Sequence, residues 1–146
     1  MSSWKTNCEE HGCFRDRHVV DFSPFNGILP RGINFGDVDG IVEYMGEFLL
    51  MEWKGEQALW DSIDGGGQDL LHERLAQAGP FTVLQIVGHA GKCEPTMVRA
   101  WLPSSTCRTQ WKNCNQASLK EQIGNWRNAV ERRNALNNHT GERSYG

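Results

Sequence analysis

The chain has 146 residues, a formal net charge of −3 and 38% hydrophobic residues, which is typical of one globular domain, predicted here over residues 1–146. No apolar run approaches the ~20 residues of a membrane-spanning helix, and the N-terminus lacks the apolar stretch of a secretory signal, so we expect a soluble cytoplasmic protein. Five cysteines, an odd number, argue against a closed disulfide framework.

Two strands joined by a tight turn are predicted in the first part of the chain. Residues 33–44 suit an extended strand, and residues 48–54 suit a second one. Met45-Gly46 lies between them and predicts the turn. The pattern therefore indicates a β-hairpin.

Helices and strands are predicted to follow this hairpin. Residues 68–78 have apolar side chains at helical spacing, and Gly79-Pro80 ends that helix. Residues 81–87 are apolar and β-branched, which predicts a strand buried on both faces. Residues 95–102 are a candidate strand, and residues 118–134 predict an amphipathic, basic C-terminal helix. The fold class predicted is α/β, with a mixed sheet flanked by helices.

Acidic and basic side chains gather on one face of the predicted hairpin. Strand alternation places Asp37 and Asp39 on one face of the first strand, and Glu52 and Lys54 together on one face of the second. The short turn brings these faces side by side. Neighbouring carboxylates repel each other, and a divalent cation between them relieves the repulsion. Carboxylates that hold Mg²⁺, with a lysine beside them, are a set of groups that can perform phosphodiester hydrolysis.

The hairpin segment resembles the core of the PD-(D/E)xK nuclease superfamily, in which an acid is followed by Glu-x-Lys. Here these residues are Asp39 and Glu52-Trp-Lys54, and the separation of 13 positions between Asp39 and Glu52 resembles that of small archaeal Holliday-junction resolvases of similar length. The resemblance extends over roughly residues 33–88, because a helix and an apolar strand follow. It implies a restriction-endonuclease-like core with the element order αβββαβ.

The resemblance also implies a set of site residues. Asp39, Glu52 and the backbone carbonyl of Trp53 would hold Mg²⁺ or Mn²⁺. Lys54 would activate or stabilise the attacking water, and Gln68, at the head of the following helix, would orient the site. The implied substrate is DNA, including branched DNA, and small nucleases of this kind often act as homodimers.

The sequence departs from the superfamily's pattern at two points. Val38 stands where a proline usually precedes the acid, and Asp37 is a second candidate metal ligand on the same strand face. The superfamily's first helix, which often adds an acidic ligand, is not evident in the sequence. The candidates for that ligand are Glu9, Glu10 and Asp21.

Charge is distributed unevenly along the chain. From Arg99 onward there are eight basic and three acidic residues, whereas the first two-thirds is acidic. A basic C-terminal helix suits contact with a nucleic-acid backbone, with a plain solvated helix as the alternative. The candidate contact residues on this helix are Lys120, Arg127, Arg132 and Arg133.

Cysteines and one histidine near the two ends of the chain suggest a structural zinc site. The candidate ligands are Cys8, His11, Cys13, Cys107 and Cys114. Their spacings are looser than the two to four intervening residues usual in a zinc knuckle, so unpaired buried thiols are the alternative.

A few other residues have two possible roles. Gly65–Gly67 could cradle a phosphate through backbone N–H groups or serve as a plain linker. Trp60 and Trp111, in predicted loops, could stack on bases or pack in the core. His72 and His89 show no partner by spacing and are predicted at the surface or at strand ends.

The sequence supports two functions. The first is a Mg²⁺-dependent endodeoxyribonuclease, and its size is compatible with a phage protein acting in the host cytoplasm. The alternative is a catalytically inactive nuclease-fold protein that binds or inhibits, acting on DNA or on a protein partner. Metal binding separates the two.

Overall fold

The computed structural model of the protein describes residues 23–31, 33, 38–104 and 108–139. The backbone divides into two compact units, Met1–Asp37 and Val38–Gly146. In the first unit the described residues are exposed and include one turn of 3₁₀ helix, Ser23–Phe25. One domain over residues 1–146 stays a prediction.

The second unit is an α/β fold in which helices flank a five-stranded mixed sheet, as the sequence predicted. The strands are β1 (Gly40–Tyr44), β2 (Glu47–Lys54), β3 (Phe81–His89), β4 (Glu94–Trp101) and β5 (Lys112–Asn113). The helices are α1 (Gln57–Asp61), α2 (Gly67–Ala78) and α3 (Gln116–His139), and a 3₁₀ turn spans Ala90–Lys92. In the part of the chain that the structure describes, no helix is both long and apolar enough to cross a bilayer.

The strands lie in the sheet in chain order, β1-β2-β3-β4-β5. Strands β2 and β3 are parallel, and the other neighbouring pairs are antiparallel. A parallel pair requires a crossover connection, and α1 and α2 supply it. Consequently β2 and β3 finish at the same end of the sheet, where β1 and β4 begin. We call this the site end of the sheet.

The predicted hairpin is confirmed by β1 and β2. Its turn residues, Met45 and Gly46, have φ angles of 52° and 85°, as a two-residue turn between twisted antiparallel strands requires. Strand β1 begins at Gly40, later than predicted. Ile41 pairs with Leu50 across the hairpin, so the predicted pairing of the two faces is correct.

Two hydrophobic clusters cover the opposite faces of the sheet. On one face, Leu49 and Ile86 pack with Leu119 of α3. On the other face, Leu50 packs with Ala76 of α2. Alternation along each strand separates the two sets, and we call the two sides the α3 face and the α2 face.

Strand β3 occupies the centre of the sheet, and its residues 82–88 are all buried, as the apolar sequence predicted. Its pairing with β4 shifts register between Val87 and Gly88. Gly88 has a φ of 155°, and a Cβ there would overlap the backbone carbonyl of Glu94. Only glycine allows β4 to approach β3 this closely at the site end.

Helix α3 extends beyond the predicted range of 118–134 at both ends. At its start, the Asn115 side chain accepts a hydrogen bond from the Ser118 N–H at 2.8 Å, and the Ser118 hydroxyl accepts one from the Asn115 N–H at 2.9 Å. This reciprocal cap satisfies two backbone donors. The helix therefore begins before its apolar stripe does.

Candidate active site

Asp39, Glu52 and Lys54 lie together at the site end of the sheet. Gly40, the first residue of β1, pairs with Met51. The same register continued by one residue places Asp39, just outside the strand, opposite Glu52. Directly opposite residues share a face, and Lys54, two residues after Glu52, shares it too. Asp39 is exposed and Lys54 is half-buried, whereas Glu52 is only 6% exposed. The hairpin register thus brings two carboxylates and one amine to one face.

The Asp39 carboxylate is tied to the strand opposite it. Its Oδ2 accepts a hydrogen bond from the Trp53 N–H at 2.7 Å. In an extended strand the N–H and C=O of one residue point to the same side, so the Trp53 carbonyl is directed towards the Asp39 side of β2. A carboxylate has about four lone-pair sites, and this single bond leaves Asp39 with capacity for a cation.

These oxygen atoms fit a hard divalent cation. Mg²⁺ is bound in proteins through one or two carboxylates and keeps several waters, and Asp39, Glu52 and the Trp53 carbonyl provide oxygens of that kind. Among the described residues, no group of three or more His, Cys, Asp or Glu side chains is arranged to hold a metal ion. A metal held by these residues would therefore depend on two carboxylates and a backbone oxygen.

Trp60 positions the amine of Lys54. The Lys54 Nζ lies 5.2 Å from the centre of the Trp60 ring, within the range of a cation–π contact. Trp60 itself is fully buried in α1, and its indole N–H donates to the carbonyl oxygen of Ile86 at 2.9 Å. Trp60 was a candidate for stacking on bases in a loop, but burial excludes that role because no base can reach its ring.

Buried polar side chains continue from Glu52 across the α2 face. Glu52 pairs with Gln85 on β3, and Gln85 pairs with Arg99 on β4. The Gln85 Oε1 accepts a hydrogen bond from Arg99 Nε at 2.6 Å. Its Nε2 donates to Asp69 Oδ1 at 2.9 Å and lies 2.9 Å from His72 Nδ1. The Gln85 amide therefore links two neighbouring strands with α2.

Asp69 is the acceptor on which this network converges. Its carboxylate accepts from the Gly65 N–H at 2.9 Å, from Arg108 at 2.7 Å and from the Trp101 indole at 3.4 Å, besides Gln85. Burial by itself would raise the pKa of Asp69, but these hydrogen bonds and the charge of Arg108 outweigh it and lower the pKa below its usual value. Asp69 is therefore ionised at neutral pH.

His72 is buried beside this carboxylate, which overturns its prediction as a surface or strand-end residue. It follows Asp69 by three positions on α2, so both face the sheet. Burial, helped by the charges of Lys54 and Arg99, lowers the pKa of His72 to about 4 despite the opposing charge of Asp69. An amide nitrogen only donates, so the Nδ1 that faces Gln85 carries no proton.

The low pKa of His72 predicts a loss of stability in mild acid. Its ordinary pKa is 6.5, and in the folded protein it is about 4, so the unfolded chain binds the proton first as the pH falls. The stability that goes with a neutral His72 is complete above pH 6.5 and is lost between pH 6.5 and 4. The loss reaches roughly 2 kcal/mol at pH 5. Asp69 titrates below this window, because its pKa is lowered from 3.8.

Urea unfolding at pH 7.5 and pH 5 measures this effect. A His72→Gln variant should lose most of the pH dependence, whereas a His89→Gln variant, changed at an exposed histidine, should keep it. Equal pH dependence in wild type and His72→Gln would show that His72 is not the group responsible.

Gln68, predicted to orient the site, lies in the first turn of α2 and is half-exposed, while its neighbour Asp69 takes the buried position.

The glycine-rich loop before α2 has Gly65 in a left-handed conformation, with a φ of 71°. The N–H of Gly65 is bonded to Asp69, so one donor of a possible phosphate cradle is already engaged. This favours a structural role for the loop.

The predicted zinc ligands are only partly within the described residues. Cys114 is half-buried, and its Sγ lies 3.5 Å from the hydroxyl of Ser118. The other candidates lie outside the described residues, as do Asp37 and the acids proposed for a first helix: Cys8, His11, Cys13, Cys107, Glu9, Glu10 and Asp21. The zinc site and these additional metal ligands stay predictions.

The basic residues of α3 are on a helix that packs against the α3 face, opposite to Glu52 and Lys54. Arg133 forms two hydrogen bonds with Glu47, at 2.6 and 2.9 Å, and Arg127 pairs with Glu131 at 3.2 Å. Lys120 and Arg132 are exposed. A nucleic acid that contacted both this helix and the acids would have to pass around the sheet.

Sequence reasoning missed the buried network below Glu52. One signal was present, because Gln85 is the only amide in the mainly apolar segment 81–87. A second was the spacing of Asp69 and His72 on the inward side of a helix. Arg99 and Arg108 carried no comparable signal, since their partners are far away in the chain.

Comparison with known proteins finds no match for this chain among family models, curated proteins or solved structures. Functional inference therefore depends on the residues and geometry of the site.

Proposed function

We propose that this chain is a divalent-metal-dependent nuclease with a restriction-endonuclease-like core that hydrolyses phosphodiester bonds in DNA. The observation that carries the proposal is the placement of an exposed Asp39 opposite a buried Glu52, with Lys54 on the same face where β2 ends. Two acids and one amine on one face, together with a divalent cation, are groups that can carry out phosphodiester hydrolysis.

Each residue has a distinct role in this proposal. Asp39, Glu52 and the Trp53 carbonyl hold Mg²⁺ or Mn²⁺, which when bound supplies Lewis-acid activation of water and of phosphate oxygens. The Lys54 amine donates hydrogen bonds to the attacking water and stabilises the negative charge on the phosphoryl oxygens in the transition state. Trp60 keeps this amine at the site end of the sheet.

Burial of Glu52 supports this role over a plain strand surface. On an ordinary exposed strand face, acids and lysines form ion pairs in water, and such pairs contribute little to the stability of the fold. Glu52 is instead 6% exposed and follows the apolar residues Leu49 and Leu50. Its position at the buried end of a strand distinguishes it from an acid on a solvated strand face.

A non-catalytic binding protein is the second candidate, and one observation favours it. The Asp39 carboxylate already caps the Trp53 N–H, a role that stabilises the strand end without any metal. A protein that kept this hairpin only for its structure would bind DNA or a protein partner without turnover.

Cleavage assays separate the two functions. Supercoiled, linear, nicked and branched DNA would be incubated with Mg²⁺, Mn²⁺ or EDTA, and nicking of the supercoiled circle would report endonuclease activity. We expect Lys54→Ala to lower the cleavage rate by about 10²- to 10³-fold, the loss that follows removal of one group that stabilises transition-state charge.

Arg74→Ala is the control, since it also removes one positive charge, from an exposed position on α2. It should leave the rate at saturating DNA unchanged. If wild type and Lys54→Ala act alike on every substrate, the nuclease proposal is wrong.

A further inference from the structure

Trp111 precedes β5 and lies close to the proposed active site. Its ring centre is 6.3 Å from that of Trp60, with an interplanar angle of 55°. The Trp60 ring also contacts the Lys54 amine, at 5.2 Å. One indole ring therefore separates Trp111 from the amine proposed to act at the scissile phosphate.

The other described tryptophans either pack in the hydrophobic clusters or are fully buried, whereas Trp111 does neither. Trp101 belongs to the cluster on the α2 face, Trp53 and Trp126 pack against the cluster on the α3 face, and Trp60 is fully buried. Trp111 is half-buried and belongs to neither cluster. Part of the residue is thus accessible from solvent.

A fixed cation supports the Trp111 ring. The Arg99 guanidinium carbon lies 4.3 Å from the ring centre. Arg99 is 5% exposed and is held by Gln85 at 2.6 Å and by Asp64 at 2.8 Å. The ring therefore rests on a rigid base, and a flat aromatic surface held in advance loses little entropy when a ligand stacks on it.

The chain next to Trp111 is basic. Lys112 follows it and is exposed, and Arg108 precedes it with its side chain 22% exposed. Arg108 is paired with Asp64 and Asp69, and Lys112 pairs with Val98, which belongs to the α3 face. On the side of the ring, Lys54, which lies against Trp60, is therefore the cation better placed to meet a phosphate. An accessible aromatic ring beside basic residues is the combination by which proteins bind single-stranded nucleic acid.

We infer that Trp111 is a stacking site for an unpaired nucleobase next to the scissile phosphate. A base in the interior of a duplex has both faces covered by its neighbours, so it can stack on a protein ring only when it is unpaired. The preferred substrate is therefore DNA with single-stranded nucleotides, such as a flap or a branch. The position relative to the scissile bond rests on the proposed nuclease function, whereas the stacking itself requires neither metal nor cleavage.

Binding in EDTA tests this site. Fluorescence anisotropy would compare a short oligothymidylate with a blunt duplex of equal length. Trp111→Leu, which keeps apolar bulk beside Arg99 but has no π face, should weaken oligothymidylate binding about 10-fold or more, as expected when one stacked base is lost. Trp111→Phe should stay within about threefold of wild type, and duplex binding should be unchanged in both variants.

Equal oligothymidylate affinity in wild type and Trp111→Leu would overturn the inference, as would an equal loss on the duplex. Photo-crosslinking of the wild-type chain to an oligonucleotide with 5-iodouracil needs no variant. A cross-linked peptide that contains Trp111 supports the site, and cross-links confined to other residues overturn it.

The inference and the nuclease proposal can fail separately. Oligothymidylate binding that depends on Trp111, without cleavage in Mg²⁺ or Mn²⁺, supports the stacking site and overturns the nuclease. Cleavage that depends on Lys54, with unchanged oligothymidylate binding by Trp111→Leu, supports the nuclease and overturns the stacking site.

Discussion

A Glu52→Gln variant is expected to lose at least about 10³-fold in cleavage rate, because metal activation contributes several kcal/mol of transition-state stabilisation. Glutamine has nearly the same shape as glutamate, so it fits the 6% exposed position of Glu52 but carries no negative charge. With one of the two carboxylates neutral, Asp39 alone faces the cation. We therefore expect metal binding and cleavage to be lost together.

Thermal unfolding with and without Mn²⁺ measures the metal part of this prediction without any DNA. A cation that binds only the folded protein stabilises it by about 2.7 kcal/mol at one hundred times its Kd, a rise in Tm of roughly 5–10 °C for a chain of this size. Glu52→Gln should show no such rise.

Glu43→Gln is the control for this experiment, because Glu43 is exposed on the same hairpin. Its Oε2 accepts a hydrogen bond from the Gly46 N–H at 2.6 Å, which a glutamine oxygen can also accept. Its Mn²⁺ response should equal that of wild type. Retention of both the Mn²⁺ shift and the cleavage rate by Glu52→Gln would rule out Glu52 as a metal ligand.

An Asp69→Asn variant is expected to unfold more easily than wild type by roughly 3–4 kcal/mol, in the range seen when one member of a buried charge pair is removed. The carboxylate accepts hydrogen bonds from Gly65, Gln85, Trp101 and Arg108. An asparagine side chain places a donor among these donors and leaves the Arg108 guanidinium without its closest charge partner.

Urea unfolding at neutral pH measures this loss as a shift of the midpoint at constant slope. Asp61→Asn, at an exposed position in α1, makes the same chemical change and should stay within about 0.5 kcal/mol of wild type. If the two variants were equally stable, the network around Asp69 would contribute nothing to folding.

The buried network and the proposed site share the same strands. Gln85 and Arg99 are the neighbours of Glu52 across β3 and β4, and Asp69 and His72 hold α2 above them. A buried polar network whose donors and acceptors are hydrogen-bonded holds its side chains in one arrangement. Its role in this proposal is to fix the strand that presents Glu52 and Lys54, while the exposed Asp39 faces solvent.

The sequence alone determined the hairpin and, with it, the arrangement of the proposed site. Met45 and Gly46 specify a two-residue turn, and a turn of fixed length sets the register of the strands it joins. Once that register is set, Asp39 must stand opposite Glu52, and Lys54 must share their face. Gly79-Pro80 and the apolar residues of β3 likewise specify structure through local backbone preferences, and the structure confirms both elements.

Only the tertiary structure decided which face each helix covers and which distant side chains meet. The apolar stripe of α3 predicts that one side is buried but not which side of the sheet it covers, so the position of its arginines opposite Glu52 could not be foreseen. Asp69 and Arg108 are 39 positions apart, and Trp111 rests on Arg99 from another segment. These contacts form because packing α2 and the segment before β5 against the sheet removes polar groups from water, and each group must then find a partner that local sequence does not specify.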